Sequence, residues 1–491
     1  MSEPTSTAIS SPSAQAGQPG LRRNLSVWQA VGLSVALMAP SMAANINPQQ
    51  TAVHSGRAVS LAFFLSAIGV LLVAYGFVRL CQYYQHAGSV YAFVGATLGP
   101  RAGVVSGIGL LGTYTFYAIV TSSAAGNLGT AFLTEVGIWR NPPAWAPFLL
   151  VAVALAGALW LAIVPAKRGT STLLIIEGAT VVLILLISVV ILVRLVSGSA
   201  PGGEHFTLSV FTFGPDVGLS GVFLGAVFGF LSFAGFEAAA TLGEETHEPR
   251  RNIPRAILGT AIFGGVYFVV VTAIETMGFG TDAAGVTKFT QSSSLLGDLG
   301  TSYVGSWVGA VISLGAAISA FGCCLACVVG GSRLLFAVAR DAVGTRGAGV
   351  LSGRGTPARA VGAIVGVAAA IILLCALAFG ATATDTFAWS GTIGTLIILV
   401  IYILTTIGAI NLMFVRRRMT VPRWQIILPV LGIALLGYTV YVNVVPYPTT
   451  APGMWFPVVA GGILLVALLG VLFAPRLADR LGTQLAESEP A

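Results

Sequence analysis

The stretch FLSFAGFEAAATLGEE, residues 230–245, interrupts a run that otherwise resembles a membrane-spanning helix. The residues before it, GVFLGAVFG, are apolar or small and carry no charge. Glu237 then follows a Ser-Phe-Ala-Gly sequence, which is poor material for a continuous helix. A carboxylate at membrane depth is costly and commonly marks a functional position. The stretch therefore predicts a broken membrane helix with an acid at the break.

The composition of the whole chain is that of a membrane protein. Of its 491 residues, 56% are hydrophobic and 8% are charged, and the mean hydropathy is +0.91. A soluble domain carries about 25% charged residues. A helix needs about 20 apolar residues to cross the hydrocarbon core. We therefore predict an all-α integral membrane protein with about 12 transmembrane helices, over residues 25–48, 57–80, 101–131, 144–164, 170–196, 217–243, 254–278, 303–338, 357–379, 386–414, 424–443 and 454–474.

The distribution of basic residues predicts the orientation. Of the 24 Lys and Arg residues, four fall on the side of the loop between the first two predicted spans: Arg57, Arg140, Arg194 and Lys288. Cytoplasmic loops are enriched in Lys and Arg, so the opposite side, with both termini, is predicted to be cytoplasmic, and the membrane is predicted to be the plasma membrane. This asymmetry explains the net charge of +7 without a nucleic-acid partner.

The first predicted span is interrupted as well. The sequence VWQAVGLSVALMAPSMAANINP, residues 27–48, contains Pro40 in the middle of its apolar run. Five spans separate the two interruptions, and a unit with an odd number of spans enters the membrane from opposite sides in its two copies. The predicted parts are a disordered cytoplasmic tail, two five-span inverted repeats, two additional spans and a second cytoplasmic tail, over residues 1–24, 25–196, 197–415, 416–475 and 476–491.

Interruptions at corresponding positions of two repeats indicate the binding site of a transporter. Irregular backbone persists at membrane depth only where it lines a cavity or is buried in protein. The alternative is that Pro40 and Gly235 merely kink packed helices. Their matching positions favour a binding site between the first and sixth spans.

Several segments resemble the amino acid/polyamine/organocation (APC) superfamily of permeases. FGFLSFAGFEAAATLGEETHEPRRNIPRAI, residues 228–257, is similar to the family's sixth span and following loop, with Gly-Phe-Glu, a Glu pair and Asn-x-Pro-Arg. HAGSVYAFVGATLGPRAGVVSG, GSRLLFAVARD and FVRRR resemble three further segments. The resemblance covers roughly residues 25–475. It implies the leucine-transporter-type fold, with a 5+5 inverted repeat, two C-terminal helices and alternating access.

The first span departs from the family's pattern. The family usually carries Gly-Ser/Ala-Gly followed by Ile-Phe, whereas this chain has Ala39, Pro40, Ser41, Met42 and Ala43 at the equivalent place. None of these residues is charged, and Ala39, Ser41 and Ala43 are small, as close approach of a ligand to the backbone requires. The substrate contact at this break is therefore less well supported by the resemblance than the fold is.

The two breaks offer both ends of an amino acid a partner. A half-helix that begins inside the membrane presents unpaired N–H groups and a positive dipole end to an anion. We expect the α-carboxylate of a substrate at the amides of Ser41, Met42 and Ala43. We expect its α-ammonium at the carbonyls near Ser232, Phe233 and Ala234.

Aromatic residues near the breaks are candidates for contact with the substrate's side chain. They are Phe233, Phe236 and Tyr114, for which plain packing is the alternative. Gly235 is predicted to approach the ligand through its backbone, so that added bulk there would not be tolerated.

Two acids are candidates for proton coupling. Glu237 lies at the sixth-span break and Glu177 in the fifth span, where either could relay protons or be a hydrogen-bonded structural acid. Cys323 and Cys324 in the eighth span are poor ligands for sodium, which prefers hard oxygen donors. The sequence predicts neither a metal nor a cofactor.

The leading interpretation is a secondary active permease for amino acids, with neutral amino acids, protons and the lipid bilayer as its partners. The scarcity of acids around the breaks favours neutral amino acids over diamines. The alternatives are a polyamine or amine permease, and a nutrient receptor that has kept the fold without transport. A membrane enzyme is disfavoured, because the spans hold few acids and no buried His or evident catalytic cluster.

Overall fold

The structure is a computed structural model, which describes residues 26–84, 89–164, 167–214, 217–242, 246–343, 347–352, 355–419 and 421–473. The predicted tails, 1–24 and 476–491, lie outside these ranges. The regular elements of the described residues are helices.

The first part of the chain forms seven α-helices: α1 (Val27–Met38), α2 (Pro40–Ser55), α3 (Val59–Tyr83), α4 (Ser89–Leu98), α5 (Pro100–Glu135), α6 (Ala146–Ile163) and α7 (Lys167–Ser197). The second part begins with α8 (Leu219–Phe233), which a short 3₁₀ segment, Ala238–Leu242, follows. The helices after it are α9 (Pro249–Phe279), α10 (Ala283–Gln291), α11 (Leu295–Tyr303), α12 (Ser306–Val343), α13 (Ala358–Phe379), α14 (Ala383–Ile410), α15 (Ile427–Val444) and α16 (Trp455–Phe473).

Eleven helical runs within the described ranges are long and apolar enough to cross a membrane. The first of them, Val27–Tyr83, has 57 residues. At about 1.5 Å per residue it is far too long for one crossing of a hydrocarbon core about 30 Å thick. It divides at Gly56, so that α1 with α2 forms one pass and α3 the next. The chain is therefore a multi-pass membrane protein, and the prediction of about 12 spans is confirmed.

Helices at corresponding places in the two halves pack against each other. α2 packs along α8, α3 along α9, and α5 along α12. These pairs are the first, second and third spans of the two predicted repeats. The pairing is the one expected of two repeats related by a two-fold axis, although the boundaries of the repeats stay a prediction. α15 and α16 pack on the outside, against α3, α5 and α14.

Both interruptions lie deep in this bundle. Ser41, Ser232 and Phe233 are fully buried, and Glu177 and Glu237 are 5% and 8% exposed. Side chains at the two breaks therefore have to find their hydrogen-bond partners within the protein.

Candidate functional site

The first break is a single residue wide. α1 ends at Met38, and Ala39 adopts a left-handed conformation with φ 44° and ψ 59°. Pro40 is the first residue of α2, where its fixed φ suits a helix start and its missing N–H removes no hydrogen bond. The first amide that α2 can offer is therefore that of Ser41.

The amides at the start of α2 have partners within the protein. The Ser41 N–H donates to Glu177 Oε1 at 2.9 Å, and the Met42 N–H donates to Ser319 Oγ at 3.3 Å. The Ala43 N–H donates to the Ala39 carbonyl at 2.8 Å. The place predicted for the substrate's carboxylate thus holds a carboxylate of the protein, in the position that the positive end of a helix favours.

The second break covers four residues and begins two residues later than the sequence suggested. Ser232 and Phe233 still belong to α8, and the irregular segment runs from Ala234 to Glu237. Gly235 has φ 107°, which L residues rarely adopt. Its N–H donates to Glu237 Oε2 at 3.2 Å, so the acid folds back over its own turn.

Side-chain hydrogen bonds fasten the two breaks to each other. Ser34 Oγ in α1 donates to the Phe236 carbonyl at 3.2 Å and accepts from the Ala239 N–H at 3.0 Å. Asn47 Nδ2 in α2 donates to Ser232 Oγ at 2.7 Å. Both half-helices of the first span are therefore linked to the sixth, one on each side of the break.

The backbones of the two breaks also touch. A Cβ added at Gly235 would lie 2.7 Å from Leu37 Cβ and 3.1 Å from the Leu37 carbonyl carbon. Only a glycine fits here, because both its conformation and its distance from α1 exclude a side chain. The contact with α1 is enough to explain why this position needs a small residue.

The predicted aromatic residues occupy different surroundings. Phe233 and Phe236 are fully buried. The Phe233 ring lies edge-on to Phe268, with centroids 5.3 Å apart, and the Phe236 ring lies 5.6 Å from that of Tyr402. Tyr114 lies against α12, where a Cβ at Gly330 would come within 3.1 Å of its ring. Contact of these rings with a substrate stays a prediction.

Sequence reasoning missed four residues that complete the site: Ser34, Asn47, Ser319 and Tyr267. The Tyr267 hydroxyl of α9 donates to the Pro40 carbonyl at 3.4 Å. The signal for Asn47 was present, since an amide in an apolar run is costly without a partner. The partners of Ser34, Ser319 and Tyr267 lie 202, 277 and 227 residues away in the chain and leave no local pattern.

Two cysteines of the eighth span, Cys323 and Cys324, are buried, and each thiol makes a weak hydrogen bond to a backbone carbonyl. Cys323 Sγ donates to the Leu37 carbonyl at 3.0 Å, and Cys324 Sγ to the Ala118 carbonyl at 3.7 Å. Within the part of the chain that the structure describes, no group of three His, Cys, Asp or Glu side chains is placed to hold a metal ion.

Two interrupted spans that meet at the centre of a twelve-span bundle define a membrane transporter. Residues 46–476 match the Amino acid permease family, and the chain belongs to that family. The branched-chain amino acid permease BcaP of Bacillus subtilis is 26% identical over 309 residues, which are 59% of this chain and 61% of that protein. BcaP of Lactococcus lactis subsp. cremoris is 26% identical over 66% of this chain and 70% of its own. The low-affinity putrescine importer PlaP of Escherichia coli is 26% identical over 66% and 68%.

Gly235→Leu is expected to reach the membrane but to lose uptake of amino acids. The substitution forces a left-handed conformation that costs about 1–3 kcal/mol on a residue with a side chain, and it pushes the sixth-span break away from Leu37. Gly259→Leu is the matched control, because a Cβ there meets nothing within 4 Å. The measurements are the amount of protein in the membrane fraction and initial uptake rates. Normal uptake by Gly235→Leu would show that the contact between the breaks is dispensable.

Proposed function

We propose that this chain is a secondary active amino acid permease of the cell membrane, with both termini cytoplasmic, that works by alternating access. Its substrates are neutral amino acids, and their transport is coupled to protons or to exchange. The observation that carries the proposal is the Glu177 carboxylate at the Ser41 amide, inside a break that faces a second break. Membership of the family and two relatives named for branched-chain amino acids support it.

Glu177 and the carboxylate of a substrate compete for the Ser41 amide. A substrate carboxylate that takes the Ser41 N–H displaces Glu177, which is 5% exposed and would keep its charge without this partner. An isolated buried carboxylate is strongly disfavoured, so it takes up a proton instead. Binding of substrate at this break is thereby linked to protonation of Glu177.

The second break supplies the partner for the substrate's ammonium. The chain turns out of helical geometry after Phe233, and the carbonyls of Leu231 and Phe233 accept from the nearer N–H groups of Ala234 and Phe236. Each carbonyl keeps a second lone pair for an ammonium. Glu237, hydrogen-bonded to Gly235, adds negative charge beside them. In this arrangement the first break binds the anionic end of the zwitterion and the second break binds the cationic end.

A second candidate function is transport of amines without a carboxylate. With Glu177 in place, the dipole of α2 is already matched, and Glu237 provides a second acid. Two acids at the breaks therefore suit a diamine better than the scarcity of acids in the sequence suggested. The relative named as a putrescine importer supports this candidate.

Purified protein in liposomes is expected to take up neutral amino acids in preference to diamines. The test is a panel of radiolabelled amino acids and polyamines, each with and without an imposed proton gradient. Putrescine outcompeting every neutral amino acid would favour the amine permease. A receptor without transport would bind ligands of the panel and accumulate none.

Glu177→Gln is expected to separate substrate binding from proton coupling. The glutamine still accepts from the Ser41 N–H, but the substrate can displace it without a proton. Uptake of a neutral amino acid should persist and lose most of its dependence on the proton gradient. Glu248→Gln is the matched control, since that side chain is exposed. If Glu177→Gln instead keeps the wild-type response to the gradient, Glu177 is not the coupling group.

Glu237→Gln is expected to keep the wild-type dependence of uptake on pH. The bond from the Gly235 N–H needs only an acceptor, which glutamine retains, so the turn should keep its shape. The measurement is the initial uptake rate over a pH series. A flat profile in this variant, beside an unchanged profile in Glu177→Gln, would assign the coupling proton to Glu237.

A further inference from the structure

A chain of polar side chains runs from the first break to the outer end of α5, on the face of the bundle where α2 ends. Glu135, the last residue of α5, lies with its Oε1 2.9 Å from Ser313 Oγ of α12. Ser313 Oγ lies 2.9 Å from Ser294 Oγ, which lies 3.0 Å from Asn45 Oδ1 of α2. Four segments thus meet in one row of hydrogen bonds.

The orientation of the Asn45 amide is fixed by two backbone groups. Its Nδ2 lies 2.9 Å from the Ser41 carbonyl, which can only accept, and its Oδ1 lies 3.0 Å from the Leu296 N–H, which can only donate. Asn45 Oδ1 is therefore an acceptor for Ser294 as well.

Asn45 also caps α11 from another helix. Ser294 is the N-cap residue of α11, but its side chain makes no capping bond and turns to Asn45 instead. The Leu296 N–H would ordinarily donate to the side chain of the N-cap residue. Here it donates to Asn45 Oδ1 instead. The first turn of α11 is thus tied to the first turns of α2.

The hydrogen bonds of this row together require a proton on Glu135. A serine hydroxyl has a single hydrogen to donate. Ser294 gives its hydrogen to Asn45, so the bond between the serines uses the hydrogen of Ser313. The contact between Ser313 and Glu135 then requires the hydrogen to be on the carboxyl group. All three bonds are made together only when Glu135 is neutral.

We propose that Glu135 is a proton-binding site whose neutral form fastens α11 to α2. When Glu135 ionises, Ser313 turns its hydrogen to the carboxylate, and the two serine oxygens face each other without a hydrogen between them. Either that contact opens, or Ser294 leaves Asn45. Both outcomes loosen the attachment of α11 to α2.

The packing leaves little room for the row to relax without moving α11. A Cβ built on Gly297, in the first turn of α11, would lie 3.0 Å from Glu135 Oε1 and closer still to both serine oxygens. The backbone of α11 therefore lies directly over the three oxygen atoms. Repulsion between them acts on the helix itself.

Few other ionisable groups face Glu135. Asp298 of α11 is close enough to act on it, and burial raises the pKa of Asp298, opposed by the hydroxyl that Ser292 donates at 2.6 Å. Arg140 is exposed and forms no ion pair with Glu135 in the described ranges. α6 and the first half of α12 carry no charged residue, Lys288 of α10 is exposed, and His54 of α2 lies more than two turns beyond Asn45.

Hydrogen exchange of the full-length protein in lipid nanodiscs tests the proposal without relying on transport. Amides in the first turn of α11 are expected to exchange about fivefold faster at about pH 8 than at about pH 5, after correction for intrinsic rates, because one hydrogen bond is lost. A peptide from α16 is the internal reference. Failure of the proposed permease function would leave this expectation unchanged.

Three variants make the test specific. Glu135→Gln donates from its amide at every pH, so α11 should stay slow throughout. Ser313→Ala breaks the row, so α11 should be fast throughout. Asp298→Asn should keep the wild-type pH dependence. Exchange independent of pH in the wild type, or an unchanged pH dependence in Glu135→Gln or Ser313→Ala, would overturn the proposal. Loss of the pH dependence in Asp298→Asn alone would assign the proton to Asp298 and overturn it too.

Discussion

The hydrogen bond between the Ser41 amide and the Glu177 carboxylate satisfies the need on which the rest of this structure depends, an acceptor for a buried N–H group at a helix start. A helix that starts inside the membrane leaves N–H groups that water cannot satisfy. Ala39, in a left-handed conformation, and Pro40 after it create that start, and Glu177 of α7 provides the acceptor. The other contacts of the centre follow from the same need. Ser319 accepts from the Met42 N–H, and Cys323 donates to the Leu37 carbonyl, so each satisfies a backbone group that the interruption has freed.

The same bond connects the fold to its proposed chemistry. A carboxylate in a buried site is stable only while its partners remain, so anything that takes those partners changes its protonation. Glu237 differs, because it accepts a hydrogen bond from Gly235 within its own turn. We therefore propose different roles for these two buried acids because of their different hydrogen bonds and not because of their depth.

Much of the fold could be predicted from the sequence, because hydrophobic length and small residues at breaks are local signals. The number of spans and both interruptions follow from them. The exact limits of the second break did not, since Ser232 and Phe233 remain helical, with Ser232 bonded to Asn47 of α2 and Phe233 packed against Phe268 of α9. The partners at the first break were also beyond reach. Glu177 lies 136 residues from Ser41, and no spacing rule links residues so far apart.

The capping of α11 by Asn45 has a consequence for the order in which the protein is built. Asn45 and Leu296 are separated by 251 residues, so the cap cannot form until most of the chain has been synthesised. A nine-residue helix is too short to be stable alone. α2 enters the membrane early, whereas α11 gains its first-turn acceptor only when α9 has returned the chain to the same face. The ordering of α11 is therefore a late step of folding, which can take place only after the two halves of the chain have packed together.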